Sequence, residues 1–150
     1  VVGELPGARL HVFGVMGAPP VLAGVTWHGP PADSATAFPR GAIAVVPARH
    51  PTGVPMKGLE AWARGLPVIA SPDAARALEA ADGVELLVAG DAAGLARAVA
   101  RLHGEAGLRE RLVAAARARL AAVHAPPVVA GQLADAYRRA GGRRAARARR

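Results

Sequence analysis

HPTGVPMKGLEAWARGLPVIAS, residues 50–71, is the stretch on which the fold turns. It begins as a turn rich in Gly and Pro, becomes a helical run at Pro55, whose fixed φ suits a first helical position, and closes on the apolar strand LPVIAS at 66–71. Another short apolar run, AIAVVP at 42–47, stands before it. Two buried strands joined through a helix call for parallel pairing, because a parallel connection needs a long crossover.

Outward from this unit the alternation continues. Strands are expected at LHVFG 10–14, GVTWH 24–28 and VELLVA 84–89, all short and nearly uniformly apolar, as parallel strands covered on both faces are. Helices are expected near 55–64, 73–81, 91–103 and 105–123, the last with Leu108, Leu112, Ala116, Leu120 and Val123 on one stripe. Pro126 and Pro127 break the chain before a final helix that holds Leu133 and Tyr137. The fold class is therefore α/β, an open parallel sheet of about five strands with helices on both faces. Ligands of such sheets bind outside the carboxyl ends of the strands.

Composition narrows the chemistry. With 150 residues, 52% hydrophobic and 20% charged, the chain suits one domain that buries most of its apolar surface. It has no cysteine, which excludes disulfides, thiolate metal sites and cysteine nucleophiles. No Asp/Glu/His cluster has metal-ligand spacing, and G-x-S-x-G, P-loop and G-x-G-x-x-G patterns are absent. Hydrolase, kinase and dehydrogenase readings are therefore poor. At 3%, aromatic residues are too few for the stacking platforms of single-strand nucleic-acid binders.

The formal charge of +8 is local. Residues 137–150 carry seven arginines and no acid, which leaves twelve bases against eleven acids in residues 1–136. Residues 1–136 are thus nearly neutral; the folded body is placed at 1–140, and residues 141–150, GGRRAARARR, are expected to form a disordered basic tail. Arg143, Arg144, Arg147, Arg149 and Arg150 suit a weak, salt-sensitive contact with nucleic acid or anionic lipid, against the plainer alternative of a solvated end. No run approaches 18 consecutive apolar residues, and the start lacks a signal-peptide layout. A cytoplasmic location is the default expectation, with peripheral membrane attachment as the variant. The chain opens on Val1 with a strand close behind, so an N-terminally truncated fragment is expected.

At the start of the 55–64 helix the amides of Met56, Lys57 and Gly58 should lack intrahelical partners, and the positive end of the helix dipole lies at the carboxyl edge of the sheet. A phosphate would rest there, with Gly53 permitting close backbone approach and Lys57 adding a point charge. Every helix has such a mouth, and most bind only water. Glu60 sharpens the site, lying between the apolar face of Leu59, Trp62, Ala63 and Leu66 and the polar face of Lys57 and Arg64. A carboxylate there suits two neighbouring hydroxyls, as on a ribose. A surface ion pair with Arg64 or Lys57 fits the residues equally well.

The block KGLEAWARGLPVIAS resembles the nucleotide-sugar-binding C-terminal domain of GT-B glycosyltransferases, the group with glycosyltransferase family 4. Leu59, Glu60, Ala61, Ala63, Gly65, Pro67 and Val68 carry the match, and looser similarity extends over residues 5–123. The resemblance implies that Glu60 binds the donor ribose. It places Gly53, Val54, Met56 and Lys57 against donor sugar and diphosphate, and the loop of His28, Gly29 and Pro30 beside the base. Arg49 and His50 precede the motif loop within reach of a phosphate, although a solvated loop suits both. Many members carry glutamate where Thr52 stands, which bears on sugar specificity or turnover. The family's first strand, and its acceptor-binding N-terminal domain, would lie ahead of Val1.

Implied with the family is transfer of a sugar, hexosyltransferase-like, from a nucleotide-diphosphate donor to an acceptor held by that missing domain. No cofactor or metal ion is expected; amides and cations at the helix start would stabilise the leaving diphosphate. The chain alone would be inactive. The competing expectation is a non-catalytic α/β binding module whose arginine tail contacts nucleic acid or an anionic membrane.

Overall fold

The structure is a computed structural model and describes residues 5, 7–15 and 17–147, with side chains through residue 140. The chain divides into two compact units, residues 1–117 and 118–150. All five strands lie in the first. They are β1 (Leu10–Phe13), β2 (Val25–His28), β3 (Ala44–Val46), β4 (Val68–Ala70) and β5 (Leu87–Val88). The helices are α1 (Ser34–Ala37), α2 (Met56–Ala63), α3 (Pro72–Ala77), α4 (Ala92–Gly104), α5 (Ala106–Arg119) and α6 (Pro126–Arg147).

Every strand pairing is parallel, with Leu10 opposite Val25, Ala44 opposite Val68 and Ile69 opposite Leu87. The strands form two sheets, β1–β2 and β3–β4–β5, where the sequence suggested one.

Ile69 of β4 and Leu87 of β5 join Ala98 and Leu102 of α4 and Leu108 and Leu112 of α5 in one buried cluster. Side chains alternate across a strand, so Val68 and Ala70, both buried, face the side opposite Ile69. Helix α2 packs on β3 and β4, and α3 on β4. The sequence stripe on α2 is corrected by this packing: the buried residues are Gly58, Ala61 and Trp62, Leu59 is half-buried and Ala63 is exposed. A Cβ on Gly58 would stand 2.9 Å from Leu78 Cδ1, so the small residue lets α2 approach the α3 end closely.

Helix α2 ends in a Schellman turn. Gly65 N–H donates to the Trp62 carbonyl (2.9 Å) and Leu66 N–H to that of Ala61 (2.9 Å), with Gly65 at φ +72°. Leu66 and Pro67 are then drawn straight into the core. The loop after β3 is fastened from α3: Ser71 caps Ala74 N–H (3.2 Å) and its hydroxyl donates to the Ala48 carbonyl, while Asp73 accepts His50 N–H at 3.3 Å.

Two helical expectations need amendment. Helix α1 has no apolar period to announce it, being four residues capped by the Asp33 side chain on Ala35 N–H. The expected 105–123 helix is α-helical only to Arg119, and Leu120–His124 form a π-helical turn. In the second unit the α6 backbone is helical through Arg147, into the segment expected as a mobile tail. The side chains of Arg143, Arg144 and Arg147, and all of Arg149 and Arg150, lie outside the described residues. By length and composition alone the helical stretch Ala106–Ala140 could cross a membrane, although Leu108 and Leu112 within it belong to the buried cluster of the first unit.

Replacing Gly65 by Ala should destabilise the first unit by about 1–2 kcal/mol, because an L-residue then occupies a left-handed position and its Cβ meets the Arg117 guanidinium. Urea unfolding of the two proteins measures the difference; equal midpoints would contradict the turn.

Candidate functional site

Strand β3 ends at Val46, and the turn after it carries three of the expected donor contacts, with Met56 and Lys57 at the helix start that follows. Thr52, Gly53, Val54 and Met56 are all exposed, as is Lys57, and a Cβ on Gly53 would meet nothing within 4 Å. Helix α2 begins at Met56 with Pro55 at its N-cap, one residue earlier in role than expected. The Gly58 amide is also not available, since it donates to the Pro55 carbonyl at 2.8 Å. The Pro55 carbonyl also accepts Leu59 N–H at 3.4 Å, so the first turn carries a shared acceptor whose shorter, three-residue bond consumes the Gly58 donor. The helix mouth thus rests on the amides of Met56 and Lys57. His50 holds a left-handed backbone (φ +51°) within reach of Asp73, and Arg49 is exposed.

Glu60 lies one turn into α2, with its side chain 35% exposed. Arg64 Nε and Nη2 both donate to Glu60 Oε1, at 3.3 and 3.1 Å. Of the two ion pairs open to the sequence, the structure forms the one with Arg64. The same Arg64 Nη2 donates to Ser34 Oγ at 3.0 Å, and its guanidinium carbon stands 5.9 Å from the Phe38 ring centroid. The Ser34 hydroxyl, then Arg64, hold the Glu60 carboxyl below the usual carboxylate range, against desolvation and the nearby Asp33 charge. Glu60 is therefore ionised at neutral pH. Neither Ser34 nor Phe38 was visible as a site residue in the sequence; the Asp33 cap before Ser34 was the available signal.

At the carboxyl ends of β1 and β2 lies a cleft of about 250 Å³, lined by Phe13, Gly14, Val15, Trp27, His28 and Gly29 among others. His28 stacks on Phe13, with centroids 4.4 Å apart, and its Nε2 is 3.0 Å from His11 Nδ1. Trp27 Nε1 donates to the Pro20 carbonyl at 2.9 Å. Gly29 therefore borders a cavity at the expected sheet edge. A second cavity sits at the amino ends of the same strands, around Gly7 and Gly24. Residues 52–60 line neither. The expected donor contacts thus fall into two groups, the β3–α2 turn with its helix start and the cleft beside Gly29, and α1, which begins five residues after Gly29, touches the Glu60–Arg64 pair through Ser34. Among the described residues no group of three or more His, Cys, Asp or Glu is placed to hold a metal ion.

Because Ser34 is the largest contributor, Ser34→Ala should raise the Glu60 carboxyl pKa. An NMR titration of the Glu60 side chain reads the shift. A lowered pKa adds stability that is present above the unfolded value and lost as pH falls through the folded one, so the variant should also lose less stability on acidification below about pH 4.5.

A comparison with curated proteins finds no match. Among solved structures, the chain is similar to the crystal structure of the C-terminal domain of a glycosyl transferase group 1 family protein, LpcC, from Francisella tularensis, with a TM-score of 0.57 and 20% identity. That alignment covers 69% of this chain and 55% of the other, a likeness of fold. The family model for group 1 glycosyl transferases matches residues 2–105, which include β1–β5, α1–α3, the β3–α2 turn and Glu60. The chain belongs to the group 1 glycosyltransferases.

Proposed function

We propose that residues 1–117 bind the nucleoside diphosphate of a nucleotide-sugar donor at the carboxyl edge of the two parallel sheets. The ionised carboxylate of Glu60 carries this reading: it stands one turn from a helix mouth, partly exposed, in a chain of a sugar-transferring family. Glu60 takes the ribose hydroxyls as a double acceptor. The exposed turn of Thr52, Gly53 and Val54, with the Met56 and Lys57 amides and the Lys57 ammonium, takes the diphosphate and sugar. Gly29 and the cleft beside it face the base.

Transfer then proceeds by departure of the diphosphate. As the bond from the anomeric carbon to the phosphate oxygen breaks, an acceptor oxygen bonds to that carbon and gives its proton to a base outside these residues. The helix-mouth amides and Lys57 stabilise the charge growing on the departing diphosphate more than they stabilise the ground state. No metal ion is assigned to this step. Thr52 offers a hydroxyl where many relatives carry a carboxylate, so it fits a donor sugar that needs no anionic contact. The sugar is of the hexose class, and the acceptor is held by a domain outside this chain. The 150 residues alone bind donor without turning it over, in the cytoplasm or at a membrane surface.

The test is calorimetric titration with UDP-, GDP- and ADP-sugars. Glu60→Ala should weaken the preferred donor by roughly ten- to a hundredfold, the range for hydrogen bonds to a charged group, with an unchanged circular dichroism spectrum. Unchanged affinity would leave Glu60 as a surface ion pair.

A second reading rests on the seven arginines of residues 137–150: these form a salt-sensitive contact with nucleic acid or anionic lipid. DNA binding at low salt should fall steeply at high salt and vanish on removal of 141–150, while donor affinity stays the same. Salt-insensitive binding, or binding that survives the truncation, argues against it.

A further inference from the structure

Among the described residues, Arg64 differs from three other ion-paired arginines. Arg76, Arg101 and Arg138 each pair with one acid three or four residues away, and their side chains are 75%, 55% and 76% exposed. Arg64 is 33% exposed and has three partners on two elements. Its Nε and Nη2 converge on Glu60 Oε1, its Nη2 also reaches Ser34 Oγ, and its guanidinium lies near the Phe38 ring. Ser34 is the first residue of α1 and Phe38 its C-cap. One side chain of α2 therefore spans both ends of α1, a helix with no buried residue of its own.

We propose that Arg64 is a positioning residue for nucleotide recognition: it ties Glu60 and α1 into one unit, so that the carboxylate meets the ribose edge of a nucleoside diphosphate in a fixed orientation. The inference rests on the donor-binding reading of Glu60. The planar guanidinium suits the task because it directs several donors at once in a rigid fork, which an ammonium does not. With Oε1 gripped by two N–H groups from one fork, rotation of the carboxylate is restricted. The chain between β2 and α1, which begins with Gly29 beside the cleft, is held to the same unit through Ser34. Recognition of base-side loop and ribose is thereby coupled.

The experiment compares UDP, GDP and ADP with their 2′-deoxy counterparts on the 150-residue chain by titration calorimetry. The wild-type chain should prefer the ribonucleotide. Arg64→Ala should lose about tenfold in ribonucleotide affinity, leave the 2′-deoxy affinity unchanged, and so erase the preference. Arg64→Lys, which keeps the charge without the fork, should behave like Arg64→Ala. Glu60→Gln should erase the preference as well, and the double variant should lose no more than either single one. Should Arg64→Ala not fold, Ser34→Ala tests the same coupling from the other element and should reduce the preference. A preference kept in Arg64→Ala, or in Ser34→Ala, but lost in Glu60→Gln overturns the role of Arg64 alone. No preference in the wild-type chain, or one that survives Glu60→Gln, overturns the ribose reading and this inference with it.

Discussion

The left-handed residue at Gly65 sets the geometry on which the site depends. Helix α2 must end there, because the Schellman bonds from Gly65 and Leu66 close its last turn and send the chain back into the sheet as β4. With the exit fixed, eight residues of helix fix the entrance, and the mouth at Met56 falls at the carboxyl edge of β3. Trp62, Ala61 and Gly58 complete the constraint by burying one face. Rotation of α2 by one residue would expose Trp62 and carry Glu60 away from α1. Burying a large side chain is worth about 1.5–3 kcal/mol, several times an exposed ion pair. Packing therefore places Glu60, and Arg64 only orients it.

Much of this was legible in the sequence. All five strands lie inside the expected runs, because short apolar segments between turn residues have few other fates in a chain of this length. Ala63 shows where pattern failed. Apolar character placed it on the buried face, whereas the glycine at 58, which reads as a breaker, is the residue that touches Leu78. A small residue is invisible to a hydrophobic pattern, and only the neighbouring helix reveals that smallness was needed. Helix α1 was missed for a related reason: Asp33 and Ser34 stabilise it locally by capping, a signal of one or two residues. The division into two sheets is a matter of which strands pair, and a count of apolar runs does not report pairing.

Sequence could name the two candidate roles of Glu60 and could not choose between them. The structure forms the ion pair with Arg64, which does not exclude the other role. An exposed i,i+4 pair contributes about 0.3–0.5 kcal/mol, while hydrogen bonds from ligand hydroxyls to a carboxylate contribute about 1.5–3 kcal/mol. A diol can therefore share the carboxylate with Arg64, whose two N–H groups both converge on Oε1. The lowered carboxyl pKa works in the same direction, since it extends the ionised form of the double acceptor to more acidic pH.

The turn ahead of α2 is anchored at one end only. Ser71 and Asp73 hold Ala48 and His50 from the α3 side, and Asp73 also pairs with Arg76. From Thr52 to Val54 the turn is exposed, and Gly53 has open space where a Cβ would stand. His50 adopts its left-handed backbone at the boundary between the two parts, a conformation that histidine takes more readily than a branched residue. A turn clamped at its strand end and open at its tip can settle on an anion without disturbing β3, so the binding energy need not be spent on breaking core contacts. The loss of one helix-mouth amide to Pro55 matters less for the same reason. In the proposed donor complex, Thr52, Gly53 and Val54 would bring their own N–H groups to the phosphate, beside the Met56 and Lys57 amides and the Lys57 ammonium.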